Sequence, residues 1–350
     1  MASSLDDYES LASKVLPAGV RDFIAGGSGS ETTLRRNRSA LDAVTMAPRV
    51  LAGVSSPDPS TKLLGTPAAI PVAIAPMAYQ QLVHPEGEIA LARAAAMAGI
   101  PYVISTLSSQ PMEQIAAEAS TWFQLYWLRD RAMVESLIDR AGQAGCTALM
   151  VTVDVPVMGR RLRDVRNAFQ LPSEVVAANL VGARTEAHVG VAGASAVATH
   201  TAAAFEPSLS WLDLEWIRQR TELPLVVKGI LDPRDAYRAT ETGAEGIVVS
   251  NHGGRQLDGA PASIDALAAV VEAVDCEVLL DSGIRSGTDV LRALALGASG
   301  VLIGRPLLWA LALDAAAEAL ELLSGELTQA MMLAGCATVA EIADLTTGRA

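Results

Sequence analysis

Lysine is nearly absent from this chain of 350 residues. Of its 26 basic side chains only Lys14, Lys62 and Lys228 are lysine, so a lysine inside the apolar run PLVVKGI, as Lys228 is, does not arise from composition. Cysteine is as scarce. Cys146, Cys276 and Cys336 are odd in number and widely spaced, which argues against a disulfide framework and predicts a cytoplasmic protein. Aromatic residues make up 4% of the chain against 51% hydrophobic overall, so the core is expected to be Ala, Val, Leu and Ile. Basic residues are outnumbered by 39 acidic ones, giving a net charge of −13, and nothing in that balance attracts nucleic acid or an anionic membrane. An anionic ligand therefore needs local cations. No run of 18 apolar residues is free of charge, and MASSLDDYESLASKVLPAG lacks the cationic-then-apolar order of a secretory signal. His84, His188, His200 and His252 have no metal-ligand spacing, and no G-x-G-x-x-G follows a strand.

What is present is a rhythm. Residues 5–24 predict two short helices ending at the glycines of AGGSG, and 31–44 a third, making an N-terminal helical preface over 1–66. From 67 to 350 buried strands alternate with amphipathic helices. Strands are expected at 70–75, 101–105, 121–126, 147–153, 224–228, 246–250, 277–281 and 300–304. Helices are expected at about 86–98, 111–119, 131–144, 211–221, 233–242, 263–273 and 287–296, with a helical tail from 306. Eight such units predict an α/β fold, a (β/α)8 TIM barrel in one domain spanning 1–350, with its active site at the carboxyl ends of the strands. One interval breaks the pattern. The fourth and fifth strands are separated by a long segment whose Ala- and Gly-rich part, 177–208, has no clear periodicity; it is expected to be a mobile lid over the barrel mouth, the alternative being disorder without catalytic consequence.

The strands end in chemistry. In GIVVSNHGGRQLDG a β-branched run is followed by Ser250, Asn251, His252 and Arg255 around Gly253 and Gly254. A base of near-neutral pKa beside a fixed cation suits proton removal from a bound anion. Other strand ends carry Met77 and Ala78, Ser105, Gln124 and Tyr126, Thr152 and Asp154, Lys228, Asp281 with Gly283 and Arg285, and Gly304 with Arg305. Polar groups at the ends of so many core strands are costly unless they share a ligand. The glycines and arginines of DSGIRSG and GVLIGRP follow strands seven and eight, where barrels commonly hold phosphate. Ser105, Gln124 and Thr152 suit the edge of a flat heterocycle, and Lys228 a site where negative charge develops. Together these predict a flavin mononucleotide (FMN) site and no metal.

SNHGGRQLDGAPA, TVDVPVMGRRLRDVRN, WFQLYWLRDR, LPLVVKGI and DSGIRSGTDVLRALALGASGVLIGRP resemble the FMN-dependent α-hydroxy acid oxidase and dehydrogenase family, the group containing glycolate oxidase, lactate oxidase and mandelate dehydrogenase. The resemblance spans about residues 8–335. Within the family, DFIAGGSG, AYQQLVHPEGE and GRRLRDVRN are most similar to the 4-hydroxymandelate oxidase branch. The resemblance implies His252 as active-site base with Asp154 as its partner, and Arg255 and Arg161 as holders of the substrate carboxylate, Arg160 and Arg163 being the alternatives to Arg161. It further implies Tyr126 bonded to substrate, Lys228 beside N1 and C2=O of the flavin, Met77 and Ala78 facing the ring, and Gly283, Arg285, Gly304 and Arg305 at the phosphate.

Three positions depart from the family pattern. Phe23 stands where the family commonly has a tyrosine contacting the substrate carboxylate, so that one hydrogen bond is lost, Leu107 where glycolate oxidase has tryptophan, and Ser282 where a glycine follows the phosphate-loop aspartate. Phe23 and Leu107 are expected to open the pocket to an aromatic ring on the side away from the carboxylate. Ser282 is expected either to add a phosphate donor or to point away. The reading is oxidation of an (S)-2-hydroxy acid, mandelate or 4-hydroxymandelate, with O2 as acceptor and H2O2 as product, in a homo-oligomer (tetramer or octamer) that binds neither nucleic acid nor membrane. The competing readings are a dehydrogenase that reduces a quinone, an oxidase of glycolate or lactate, a Schiff-base aldolase using Lys228, and an inert ligand-binding barrel.

Overall fold

The computed structural model describes residues 2–180 and 196–350. Eight parallel strands close into a barrel: β1 Val72–Ile74, β2 Tyr102–Ser105, β3 Thr121–Leu125, β4 Leu149–Thr152, β5 Leu225–Ile230, β6 Gly246–Val249, β7 Glu277–Leu280 and β8 Gly300–Ile303. Each strand pairs with the next, and β8 returns to β1 with Val301 opposite Val72. All eight expected strands are there, and so are the helices between them.

Strand alternation explains both the core and the site. Val72, Ile74, Tyr102, Ile104, Phe123, Leu125 and their equivalents face the helices, where they join one large apolar cluster. The alternate residues Ala73, Val103, Trp122, Met150, Val226, Val248, Leu279 and Leu302 form a second cluster inside the barrel. Two residues beyond each of them, on the same face, stand Ala75, Ser105, Gln124, Thr152, Lys228, Ser250, Asp281 and Gly304. Between one layer and the next the barrel interior turns from apolar to mostly polar. Register holds this layer level: Ser105 lies opposite Gln124, and Thr152 opposite Lys228.

The preface is continuous with the barrel. A hairpin pairing Thr61–Leu63 with Thr66–Ala68 straddles the expected boundary at 66 and plugs the amino-terminal end. Leu63 is fully buried in the interior cluster, and β6 and β8 begin with glycine because a Cβ at Gly246 or Gly300 would lie 2.6 Å from Leu64 or Leu63. A short strand, Val44–Met46, pairs with Thr347–Arg349 and ties the preface to the chain's end.

The segment after β4 is partly helical. A single turn covers Ala178–Leu180 and a helix Ala196–Ala204, which corrects the expectation of an aperiodic stretch. Alanine favours helix without leaving an amphipathic stripe to read. The remainder of the expected lid, 181–195, lies outside the described residues.

Candidate active site

The polar layer opens into a cleft of about 1340 Å³, counting its mouth, that reaches from Phe205 and Leu107 at one side to Arg285 and Leu308 at the other. Nearly all the predicted site residues converge on it. His252 follows β6 in a tight turn, and His252, Gly253 and Gly254 all have positive φ, at 58°, 63° and 74°. For a histidine this is a strained conformation costing about 1–3 kcal/mol, of the kind found where geometry serves function. Gly254 is required sterically, since a Cβ there would lie 2.6 Å from the backbone of Leu34.

His252 Nδ1 lies 3.0 Å from Asp154 Oδ1. A carboxylate only accepts, so Nδ1 carries the proton and Nε2 is the free basic nitrogen. Asp154 fits because residue 229 is glycine: a Cβ there would come within 2.6 Å of Asp154 Cβ. Burial pushes the His252 pKa below its ordinary value and Lys228 and Arg161 add to this, although Asp154 opposes the shift. Burial alone would raise the Asp154 pKa, but attraction and a hydrogen bond from His252, with Lys228 behind, hold it low. The pair therefore rests as neutral imidazole and carboxylate.

Of the three arginines in GRRLR the structure singles out one. Arg163 is committed to Glu31 at 2.7 Å and Arg160 is exposed, while Arg161 is buried in the cleft with no partner for its Nε among the described residues. Arg255 donates from one Nη to the carbonyls of Phe23, Ile24 and Gly26, the carboxyl-terminal end of the helix Ala18–Ala25. Arg305 binds the same end through Ile24 and Gly26 and also Gly253. Among the described residues Arg161, Arg255 and Arg305 have no carboxylate within ion-pair distance; burial depresses all three pKa values, repulsion from neighbouring arginines adds to this at Arg161 and Arg305, and Asp164 opposes it at Arg161 and Arg255. In a chain of charge −13, three buried cations beyond ion-pair distance of every described carboxylate mark a place for anions.

Phe23 lies beside Arg161 and Arg255, the position of the family's carboxylate-contacting tyrosine, and not on the side away from the carboxylate. Its ring stacks on Phe169 at 4.6 Å and sits 5.8 Å and 5.4 Å from the guanidinium groups of Arg161 and Arg255. It therefore floors the cationic side. Leu107, Val155, Met158, Val197 and Phe205 give the cleft apolar lining, with Phe205 4.6 Å from the ring of Tyr126. Tyr126 is pushed up to about 12, by burial first and then by Asp154, so it stays protonated.

Lys228 is 4% exposed, paired with Asp281 at 3.0 Å and donating to Ser250 Oγ at 3.0 Å. Burial disfavours its charge, but Asp281 and Asp154 more than compensate and its pKa is raised. An imine-forming lysine needs the opposite shift, so the aldolase reading falls.

Sequence reasoning gave no role to several residues that hold this arrangement. Asn37 and Asn251 exchange amide hydrogen bonds of 2.9 and 2.7 Å, tying the helix Thr32–Asp42 to the histidine turn. Gln256 donates to the carbonyls of Asp154 and Val157. Arg38 bonds Gly283 O and the buried Asp289 beside the Arg285 loop. Partners 99 to 251 residues apart leave no signal in spacing.

The description "FMN-dependent dehydrogenase" matches residues 12–347. The chain belongs to this family. It is 55% identical to a 4-hydroxymandelate oxidase of Amycolatopsis orientalis, covering 96% of this chain and 95% of that one, and 47% identical to an L-lactate oxidase of Nostoc sp. (97% and 96%). A human 2-hydroxyacid oxidase 1 is 42% identical (96% and 93%). A solved mandelate oxidase with (S)-4-hydroxymandelic acid superposes with a TM-score of 0.97 at 54% identity, covering 99% of both chains. The protein is accordingly an FMN-dependent 2-hydroxy acid oxidase, a family member whose site must accept a flat polar ring, a phosphate and a hydroxy acid.

The residues present fit that demand. Gln124 Nε2 and Thr152 Oγ1 are buried without partners among the described residues, which leaves them for a heterocycle's edge. Gln124 Oε1 is already held by Ser105 Oγ and Thr106 N. At the far end Gly283, Arg285, Gly304 and Arg305 line the cleft together.

Proposed function

We propose that the chain oxidises an (S)-2-hydroxy acid bearing an aromatic ring, mandelate or 4-hydroxymandelate, to the 2-oxo acid, with O2 as electron acceptor and H2O2 as product. The observation that carries this is the lining of the cleft, which combines two cations over Phe23 with the apolar side chains of Leu107, Val155, Met158, Val197 and Phe205. The relatives named above for mandelate support it.

Arg161 and Arg255 take the substrate carboxylate; among the described residues no carboxylate lies within ion-pair distance of either, and buried Asp164 acts on both only from farther off. Tyr126, protonated, donates a hydrogen bond to the bound substrate. His252 Nε2 takes a proton from the substrate, and Asp154 stabilises the imidazolium that results. Met77, Ala78, Ser105, Gln124, Thr152, Ser250 and Asp281 would hold the flavin of bound FMN, and Gly283, Arg285, Gly304 and Arg305 its phosphate; the group would supply the two-electron acceptor. Lys228 keeps a positive charge where the cofactor gains negative charge. The aromatic ring buries ~100 Å² against the apolar lining, roughly 2.5 kcal/mol at about 25 cal/mol per Å², or about 70-fold.

Oxygen consumption with glycolate, (S)-lactate, (S)-mandelate and (S)-4-hydroxymandelate tests the reading. The aromatic pair is expected to show the higher kcat/KM, and a best rate with glycolate or lactate would overturn it. Substrate-reduced enzyme that reoxidises slowly in air would assign the electrons to another acceptor, such as a quinone. A homo-oligomer in the cytoplasm completes the proposal, supported by three unpaired cysteines and by exposed Val50, Leu51 and Leu333; light scattering of the purified enzyme checks the oligomer.

A further inference from the structure

Ser282 keeps a serine where glycine would be unstrained. Its φ is +76°, in the left-handed region, and it is followed by Gly283 at +110° in the turn after β7. The serine side chain is disfavoured there, yet its hydroxyl is used in both directions. It donates to Asp281 Oδ1 at 2.7 Å and accepts from the backbone N–H of Gly253 at 2.9 Å. It neither joins the cations of the phosphate end nor points away.

Those two bonds complete a ring. Asp281 Oδ2 faces Lys228 Nζ at 3.0 Å, Lys228 donates to Ser250 Oγ at 3.0 Å, and Ser250 Oγ accepts from the backbone N–H of His252 at 3.0 Å. From His252 the chain runs one residue to Gly253 and back to Ser282. All four side chains are buried: Ser282 at 8% exposure, Asp281 at 7%, Lys228 at 4% and Ser250 at 0%. The lysine and the histidine turn are thus held by one circuit, and Ser282 is the link a glycine would omit.

We infer that Ser282 is a positioning residue that raises the electron affinity of bound FMN, by holding and partly neutralising Asp281 against Lys228 and by pinning the His252 turn to both. The electrostatic direction follows from the bonds. A hydroxyl donated to Asp281 Oδ1 disperses that carboxylate's charge, so more of the Lys228 field remains for the cofactor. Without the hydroxyl, Asp281 cancels more of that field, and the reduced cofactor, which is the more negative, loses stabilisation. The inference rests on Lys228 standing beside the flavin ring.

The test compares Ser282→Gly and Ser282→Ala with wild-type holoenzyme, and with Lys228→Met as a reference. Two readouts avoid turnover: the two-electron reduction potential of the bound FMN, and the dissociation constant of its sulfite adduct, which tightens with positive charge near the ring. Both serine variants are expected to weaken the sulfite adduct and the reduced state by about tenfold, the scale of a hydrogen bond to a buried charge, which is ~30 mV for a two-electron couple. Ser282→Gly is expected to do so without lowering Tm, because it also relieves the backbone. Unchanged potential and sulfite affinity in both variants would overturn the inference, as would a shift in Ser282→Ala that Ser282→Gly restores to wild type, since that pattern reports backbone conformation alone. If Ser282→Ala fails to fold, Ser282→Gly alone decides. If Lys228→Met leaves the potential unchanged, the placement of Lys228 fails and this inference fails with it; if Lys228→Met lowers it and the serine variants do not, only the role of Ser282 is lost.

Discussion

At the scale of single residues the proposed chemistry rests on the pair His252 and Asp154, 3.0 Å apart. His252→Ala is expected to reduce turnover by about 10²–10⁴-fold, the typical contribution of a positioned base, while FMN stays bound, because all the proposed ring and phosphate contacts except Ser250 lie on other strands and the substitution leaves the backbone bond from residue 252 to Ser250 in place. Rapid anaerobic mixing with substrate measures it: flavin bleaching at the wild-type rate would remove His252 from its role. The pH dependence has a definite sign. Burial lowers the His252 pKa, so kcat/KM is expected to be flat above its ordinary value of about 6.5 and to fall only as pH drops through the depressed pKa. Asp154 raises that pKa, so Asp154→Asn is expected to move the acid limb to still lower pH as the plateau falls. A limb that moves up instead would contradict the assignment. Much of this was legible in the chain, because a strand shows every second residue to the barrel interior and the polar strand-end residues could be read off directly. Phe23 was misjudged for a physical reason: it comes from a preface helix whose approach to the arginines depends on tertiary packing.

At the scale of elements, strands and helices of the barrel were readable because burial on both faces leaves apolar runs and one-sided burial leaves helical stripes. The plugging hairpin was not, since strands of three residues are too short to show a period. Nor was the helix Ala196–Ala204, whose alanines carry propensity without a pattern. The preface helices were recognised, but not their task of carrying Asn37 to Asn251 and the helix end Phe23–Gly26 to Arg255 and Arg305. Asn37→Ala is expected to destabilise the protein by about 1–2 kcal/mol, because it removes two buried amide bonds and leaves Asn251 only those with Pro261 O and Gly254 N. It should also loosen the His252 turn. Urea unfolding measures the first effect and kcat the second; a loss of activity with no loss of stability would show that the amide pair does not anchor the turn as its burial implies.

For the whole molecule the governing imbalance is charge. A chain of −13 keeps Arg161, Arg255 and Arg305 in one cleft with no carboxylate in ion-pair distance among the described residues, and burial depresses each pKa, with repulsion between them adding to it at Arg161 and Arg305. Folding without ligand therefore carries an electrostatic cost, which an anion seated in the cleft removes. Binding at 100 times Kd adds about 2.7 kcal/mol; with an unfolding entropy of roughly 2.1 cal/mol/K per residue over 350 residues, this raises Tm by about 4 °C. Flavin-free protein is expected to gain that much from FMN and a smaller amount from inorganic phosphate, which supplies the dianion without the ring. Arg305→Met should reduce both gains, because the arginine's bonds to Ile24, Gly26 and Gly253 hold a charge that only the phosphate compensates. Thermal melts in phosphate and in chloride of equal ionic strength separate specific binding from general screening. Equal melting temperatures in the two salts would mean that the arginines are satisfied by solvent, and that the phosphate end of the cleft is not where the charge argument places it.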